Sequence, residues 1–258
     1  MSGQYQEKLV LNGIAEIDRP ISVQLSKTKN RLNKEDKIDW IRNAEVYLTC
    51  GQNNFQEKLT YDSLGIYTSS HVAKYAESYS LEIVHAKYLG VTAEGIMPGE
   101  PEAIVKYLNE SEEGRSSVFS LEIKQRKKDH FYIWEMEVDE SDVGEATAVS
   151  IVSTDDKTDK VIPDYSIEQS KIFLEGYAVE GDDISSTFIA EDIDENTAVK
   201  ATVRLFTMNK DMYNYYRSLE LYNNSQASLA QPIEIYSNIE NGLGIFGAIS
   251  ETVITIER

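Results

Sequence analysis

Apolar side chains recur at every second position through most of this chain, and that period decides its fold class. In Tyr79-Ser-Leu-Glu-Ile-Val84, the residues Tyr79, Leu81 and Ile83 fall on one face and Ser80 and Glu82 on the other. Successive side chains of a strand point to opposite faces, so the pattern marks a half-buried β-strand. Ile21, Val23 and Leu25 repeat it, and so do Ala44, Val46 and Leu48. Leu9-Val-Leu-Asn-Gly13, Lys58-Leu-Thr-Tyr61, Gly65-Ile-Tyr-Thr68 and Val91-Thr-Ala93 are further short segments of the same kind. Turn residues such as Gly51-Gln-Asn-Asn54 separate them, and residues 27–39 read as a polar loop. About seven strands at roughly ten-residue spacing point to a small antiparallel sandwich.

Met97-Pro-Gly-Glu-Pro101 is the strongest breaker, because each proline restricts the residue before it. It divides an N-terminal β-sandwich domain, 1–98, from a β-rich C-terminal domain, 99–258. Residues 109–114 read as an acidic loop. Phe119, Leu121 and Ile123, followed by Tyr132, Trp134, Met136 and Val138, predict a hairpin with Arg126-Lys-Lys-Asp129 as its solvated tip. Further strands are expected over 146–152, 172–174, 186–190 and 198–207. Only one stretch departs from period two. Met212, Tyr215, Tyr216, Leu219 and Tyr222 have helical spacing, which predicts an α-helix over 209–223, with Asn209 as its cap and Asp211 in its first turn.

Charge excludes one class of partner. The net charge is −19. Between Asp129 and Lys200 there are 20 Asp and Glu against 4 Lys and Arg, a local balance of −16. Such a surface repels phosphate backbones, so no nucleic-acid partner is expected. The single cysteine, Cys50, rules out an intrachain disulfide. No apolar run is long enough to span a bilayer, and Met-Ser-Gly-Gln-Tyr-Gln-Glu-Lys at the start has no apolar core of a signal peptide.

No catalytic pattern emerges. His71, His85 and His130 lie in or beside different strands, without zinc-ligand spacing, and Cys50 has no histidine near it in sequence. Gly242-Leu-Gly-Ile-Phe-Gly247 spells a dinucleotide fingerprint but leads into a strand rather than a helix, so its glycines are read as permitting a turn or bulge before the closing strand. Asp155, Asp156 and Asp159, or Asp182 and Asp183, or Asp192 and Asp194, could offer oxygens to calcium, but none has EF-hand spacing. Trp40, in a loop-to-strand transition, is a better stacking candidate than Trp134 on an apolar strand face. Glu135, Glu137 and Asp139 share the face opposite Trp134 and Met136, which reads as a solvated face.

The order of these elements resembles a family of Bacteroidota surface lipoproteins known as domain of unknown function four-two-four-nine. The resemblance is carried by Leu9-Val-Leu-Asn-Gly13, Pro20-Ile-Ser-Val-Gln-Leu-Ser-Lys-Thr28, Ala44-Glu-Val-Tyr-Leu48, Gly65-Ile-Tyr-Thr68 and Tyr79-Ser-Leu-Glu-Ile83. Val203-Arg-Leu-Phe206, Met212-Tyr-Asn-Tyr-Tyr216 and Ser237-Asn-Ile-Glu-Asn-Gly-Leu-Gly-Ile-Phe-Gly-Ala248 extend it over nearly the whole chain. It implies an outer-membrane, surface-exposed lipoprotein accompanying TonB-dependent nutrient uptake. The family's lipidated cysteine has no counterpart near the start, where Met1-Ser-Gly3 would stand in place of a removed signal. The family supplies no catalytic residues.

The expected architecture is therefore mostly β: an immunoglobulin-like or transthyretin-like N-terminal sandwich, then a larger β domain carrying one helix. The expected function is non-enzymatic, a ligand-binding or accessory surface lipoprotein whose partner is an outer-membrane transporter or a surface glycan or peptide. No catalytic, cofactor or metal residues are assigned, and membrane contact is expected only through an anchor absent from this sequence. A structural or adhesive surface module is one alternative. A hydrolase using central carboxylates within Glu135 to Glu145 is the other.

Overall fold

The computed structural model describes residues 6–30, 37–51, 55–110, 116–124, 129–140, 146–153, 171–174, 183–191, 199–226 and 233–257. The first part of the chain forms β1 (Leu9–Glu16), β2 (Pro20–Lys27), β3 (Glu45–Cys50), β4 (Phe55–Lys58), β5 (Thr60–Tyr61), β6 (Ile66–Val72), β7 (Ser78–Val84) and β8 (Val91–Ile96). The second part forms β9 (Glu102–Glu110), β10 (Ser116–Lys124), β11 (Phe131–Glu140), β12 (Ala146–Ala148), β13 (Ile151–Ser153), β14 (Lys171–Leu174), β15 (Ile184–Glu191) and β16 (Val199–Met208). Helix α1 (Lys210–Gln226) and strand β17 (Leu243–Glu257) close the chain. The protein is mostly β, as the period-two pattern requires. No helix among the described residues is long and apolar enough to cross a membrane.

One nine-stranded sheet runs β12-β11-β16-β17-β1-β2-β6-β5, with β14 also paired to β11. Two four-stranded sheets, β4-β3-β7-β8 and β13-β15-β10-β9, pack against it. The first covers a core of Leu9, Leu11, Ile21, Val23, Leu25, Val46, Leu48, Leu81 and Ile83. The second covers a separate core built on Trp134, Phe119, Leu121, Phe188, Val203 and Leu205. The breaker at 97–101 falls between β8 and β9, and its backbone is tied down. Met97 N–H donates to Glu77 O, and Gly99 N–H donates to His130 Nε2.

Strand β17 passes from one sandwich into the other. Its first half runs parallel to β1, from Val10 opposite Leu243 to Glu16 opposite Ile249. Its second half runs antiparallel to β16, from Met208 opposite Ile249 to Lys200 opposite Glu257. Alternation divides its side chains between layers: Phe246 and Ala248 enter the first core, Ile254 and Ile256 pack on the second, and Ile245 and Ile249 turn to the opposite face, towards α1. The glycines act within this strand as well as before it. Gly244 has φ +107, and a Cβ there would lie 2.0 Å from the Leu11 carbonyl oxygen on β1. A Cβ on Gly247 would meet Met212 Sδ of the helix at 2.8 Å.

The helix starts as the sequence indicates: Met212 N–H donates to the Asn209 side chain at 3.2 Å. Its buried face differs from the expected stripe. Met212 and Tyr213 are fully buried, whereas Tyr215, Tyr216, Leu219 and Tyr222 are half-exposed. The helix meets the sheet at its first turn, so two consecutive positions are covered there. Tyr213 fits between Phe131 and Phe173, with ring centroids 5.2 and 5.8 Å away.

Three other expectations are corrected. The two strands of the expected hairpin, β10 and β11, belong to different sheets. β10 pairs with β9 and β15, while β11 pairs with β16, β12 and β14. Their apolar faces meet across the second core, and period-two alternation is the same whether two strands lie side by side or face to face. The single strand expected over 146–152 is two, and the chain changes sheets at Val149 and Ser150. The loop expected over 109–114 is strand at its start, because β9 continues to Glu110, and 111–114 lie outside the described residues.

Candidate functional site

Helix α1 lies on the face of the long sheet opposite the two sandwich cores. That face presents Ile133 from β11, Phe173 from β14, Phe206 and Met208 from β16, and Ile245 and Ile249 from β17. The helix covers these residues fully only around Met212 and Tyr213. Further along, Tyr216, Leu219 and Asn223 form one wall of a groove of about 200 Å³, and the sheet residues form its floor. Its polar elements are Glu135 and Lys171 (3.6 Å apart), Glu220 and Asn223. The volume is below the roughly 300–1,000 Å³ of a pocket for a drug-sized molecule, so it suits one end of a ligand. Burial, above all, raises the Tyr216 phenol, which stays a neutral donor in the groove lining.

The groove is braced by the segment returning from the helix to β17. Tyr236 donates to Asp211 at 2.5 Å, and its phenol is pushed up to about 12 by burial first and by that bond second. Asn238 acts as a missing strand neighbour. Its amide nitrogen donates to Phe246 O at 2.7 Å, and its amide oxygen accepts from Phe246 N–H at 3.0 Å.

The central carboxylates do not form a free acid–base pair. Glu137 and Glu251 flank Arg204 at 3.3 and 2.5 Å, while Glu135 faces Lys171. Glu140 and Glu145 have no described side chains. Of the proposed calcium ligands, Asp183 pairs with Lys124 at 2.8 Å, and the others lie outside the described residues, as do Arg126, Lys127 and Lys128 of the basic tip. Trp40 is half-buried, bridged to Ser26 on β2, and its ring lies under Gly65. Trp134 is wholly buried. His85 contacts the Asn43 side chain at 3.1 Å, and His130 is buried at the junction of the two halves.

One association was invisible in the sequence. The Sγ of Cys50, an imidazole nitrogen of His71 and a carboxylate oxygen of Glu77 all lie within 4.8 Å of one another. Cys50 comes from β3, His71 from β6 in the facing sheet, and Glu77 from the turn before β7. His71 Nε2 lies 2.9 Å from Glu77 Oε2, and the Tyr79 hydroxyl donates to the same oxygen at 2.7 Å. Burial works to raise the Glu77 carboxyl, but the bonds from His71 and Tyr79 outweigh it and hold it below the usual range. Cys50 is wholly buried, and burial, with the charges of Glu77 and Glu57, pushes its thiol up to about 11. A thiol so placed is a poor nucleophile.

These features define a mostly-β protein of two sandwiches sharing one sheet, with an apolar groove under helix α1. The chain belongs to the family described as domain of unknown function (DUF4249), whose model matches residues 2–255. No curated protein matches it. Among solved structures, a protein from Corynebacterium diphtheriae described as membrane anchored is 10% identical, with a TM-score of 0.24, over 93% of this chain and 59% of the other. The major pilin subunit of Bacillus cereus is 10% identical, with a TM-score of 0.23, over 80% of this chain and 65% of the other. This chain thus spans less than two thirds of either, and neither score is high enough to imply a shared fold.

Proposed function

We propose that this protein is a non-enzymatic, ligand-binding lipoprotein of the outer-membrane surface that serves a TonB-dependent uptake system. The groove under α1 receives one end of the ligand. The observation that carries this reading is the groove itself: an apolar floor of Phe173, Phe206 and Ile249, with Glu135 and Lys171 at its edge. That lining suits a ligand with an apolar or ring-shaped end next to a polar group, such as a sugar or an aromatic peptide side chain. Two observations favour binding over catalysis. Glu135 and Glu137 are each held by a cation, and the only thiol is buried. The surface location and the transporter partner rest on the resemblance of the chain's motifs. The test is recovery of the tagged protein from native outer membranes under mild detergent. A TonB-dependent transporter should be enriched with it; recovery without any transporter or surface partner would overturn the reading.

One observation favours an adhesive module as the second reading. β9 is an edge strand of nine residues, and its outward Ile104 and Leu108 are 38% and 51% exposed. An exposed apolar edge of this length can accept a strand from another molecule. Lys106, which alternates with them, opposes such pairing.

A further inference from the structure

We propose that Cys50, His71 and Glu77 form a binding site for a divalent transition cation of the zinc class. Donor type comes first. A thiolate, an imidazole and a carboxylate are the three groups that bind zinc in proteins, and the soft sulfur disfavours magnesium and calcium. Geometry comes second. Bond lengths of about 2.0–2.3 Å at tetrahedral angles place ligand atoms roughly 3.3–3.6 Å apart. The three donor atoms already lie within 4.8 Å of one another, so small side-chain movements would bring all three onto one ion.

Charge balance points the same way. Glu57 lies on β4 beside Cys50 and Leu48 of β3, on the face turned to the core. One of its oxygens accepts from Ser70 N–H at 2.8 Å. The other, Oε2, is buried and has no hydrogen-bond partner among the described residues. The Glu77 side chain is only 3% exposed; His71 bonds it, and Lys74 is a further cation nearby. A buried Glu57 oxygen without a hydrogen-bond partner, close to the buried Glu77 carboxylate, is costly in a low-dielectric interior. A divalent cation held by the Cys50 thiolate, the neutral His71 ring and the Glu77 carboxylate makes a charge-neutral site, the thiol proton passing to solvent on binding.

The surroundings resemble the outer shell of a metal site. The Tyr79 hydroxyl donates to Glu77 and accepts from Lys74 N–H at 2.8 Å, which fixes the carboxylate's orientation. The rings of Phe55 and Tyr79 lie 5.5 and 6.0 Å from the His71 ring and shield it. A cation there would link β3, β6 and the β6–β7 turn, joining the two sheets of the first sandwich.

The test uses the full chain stripped with chelator and titrated with cobalt, then zinc. Cys50 is the only cysteine, so a thiolate-to-cobalt charge-transfer band in the near ultraviolet can come from no other residue. The expected result is one equivalent of cobalt with that band, displaced by one equivalent of zinc. Cys50→Ser should abolish the band. Tyr79→Phe should weaken zinc binding by about tenfold, as loss of an outer-shell partner does. Wild-type protein that binds no cobalt or zinc, or binds cobalt without the band, overturns the proposal. Undiminished zinc binding by a folded Cys50→Ser variant does so too. Should that variant fail to fold, the wild-type spectrum alone decides.

Discussion

Replacing Gly244 with alanine should damage this fold more than any other single added methyl on β17. The residue has φ +107, a backbone conformation that costs an L side chain about 1–3 kcal/mol. Steric overlap adds to this. The new Cβ would lie 2.0 Å from Leu11 O and 2.9 Å from Leu11 C, both backbone atoms of the paired strand β1. A backbone neighbour cannot rotate away, so β1 and β17 must separate at the register point Leu11–Gly244. Overpacking of this kind costs a further 1–3 kcal/mol or so. The sum, about 2–6 kcal/mol, is a large part of a typical total stability of about 5–15 kcal/mol. With a urea m-value of about 1–3 kcal/mol/M, the unfolding midpoint should fall by on the order of 1 M or more. Gly90→Ala is the control: its Cβ would meet only Ile83 O, at 3.4 Å, and the change should stay within about 0.5 kcal/mol. Equal midpoints for the two variants would refute the argument that β17 needs a glycine to join the sandwiches.

Asn238→Ala removes both hydrogen bonds to the Phe246 backbone and leaves that N–H and C=O without their side-chain partner. The expected loss is about 2 kcal/mol in urea unfolding, with faster amide exchange at Phe246; unchanged exchange there would contradict the bracing role. Tyr236→Phe removes the bond to Asp211 and should cost about 1 kcal/mol at neutral pH. The Tyr236 phenol rises in the folded state to about 12, so its contribution is fully present below the unfolded value near 10 and is lost as pH rises between the two. The stability gap between wild type and Tyr236→Phe should therefore shrink from about pH 10 to about pH 12; a constant gap would show that folding does not raise the phenol.

Strands were readable in the sequence because one face of each is buried, and burial on one face leaves a period of two. Tyr79, Leu81 and Ile83 illustrate this, and each is buried as the alternation requires. Pairing was not readable, since the same alternation serves β10 and β11 whether they are neighbours or opposite one another. Helix α1 was legible from its spacing and its Asn209 cap, yet Tyr213 was missed because a helix resting on a sheet by its first turn is covered more broadly there than an amphipathic stripe predicts. The groove depends on Lys171 and Phe173, which sit on a strand of only four residues with no periodic signal of its own. Cys50, His71 and Glu77 meet only when two sheets close on each other, and no local spacing encodes that closure.

The most direct measurement is a glycan and peptide binding array probed with the wild type and with Leu219→Trp. Leu219 lines the groove and is half-exposed, so the larger ring fills the cavity without entering the core. The wild type should bind a defined set of ligands, and the variant should lose at least tenfold in affinity for them, about 1.4 kcal/mol. Ligands bound equally well by both proteins would place the binding site elsewhere and rule out the groove under α1.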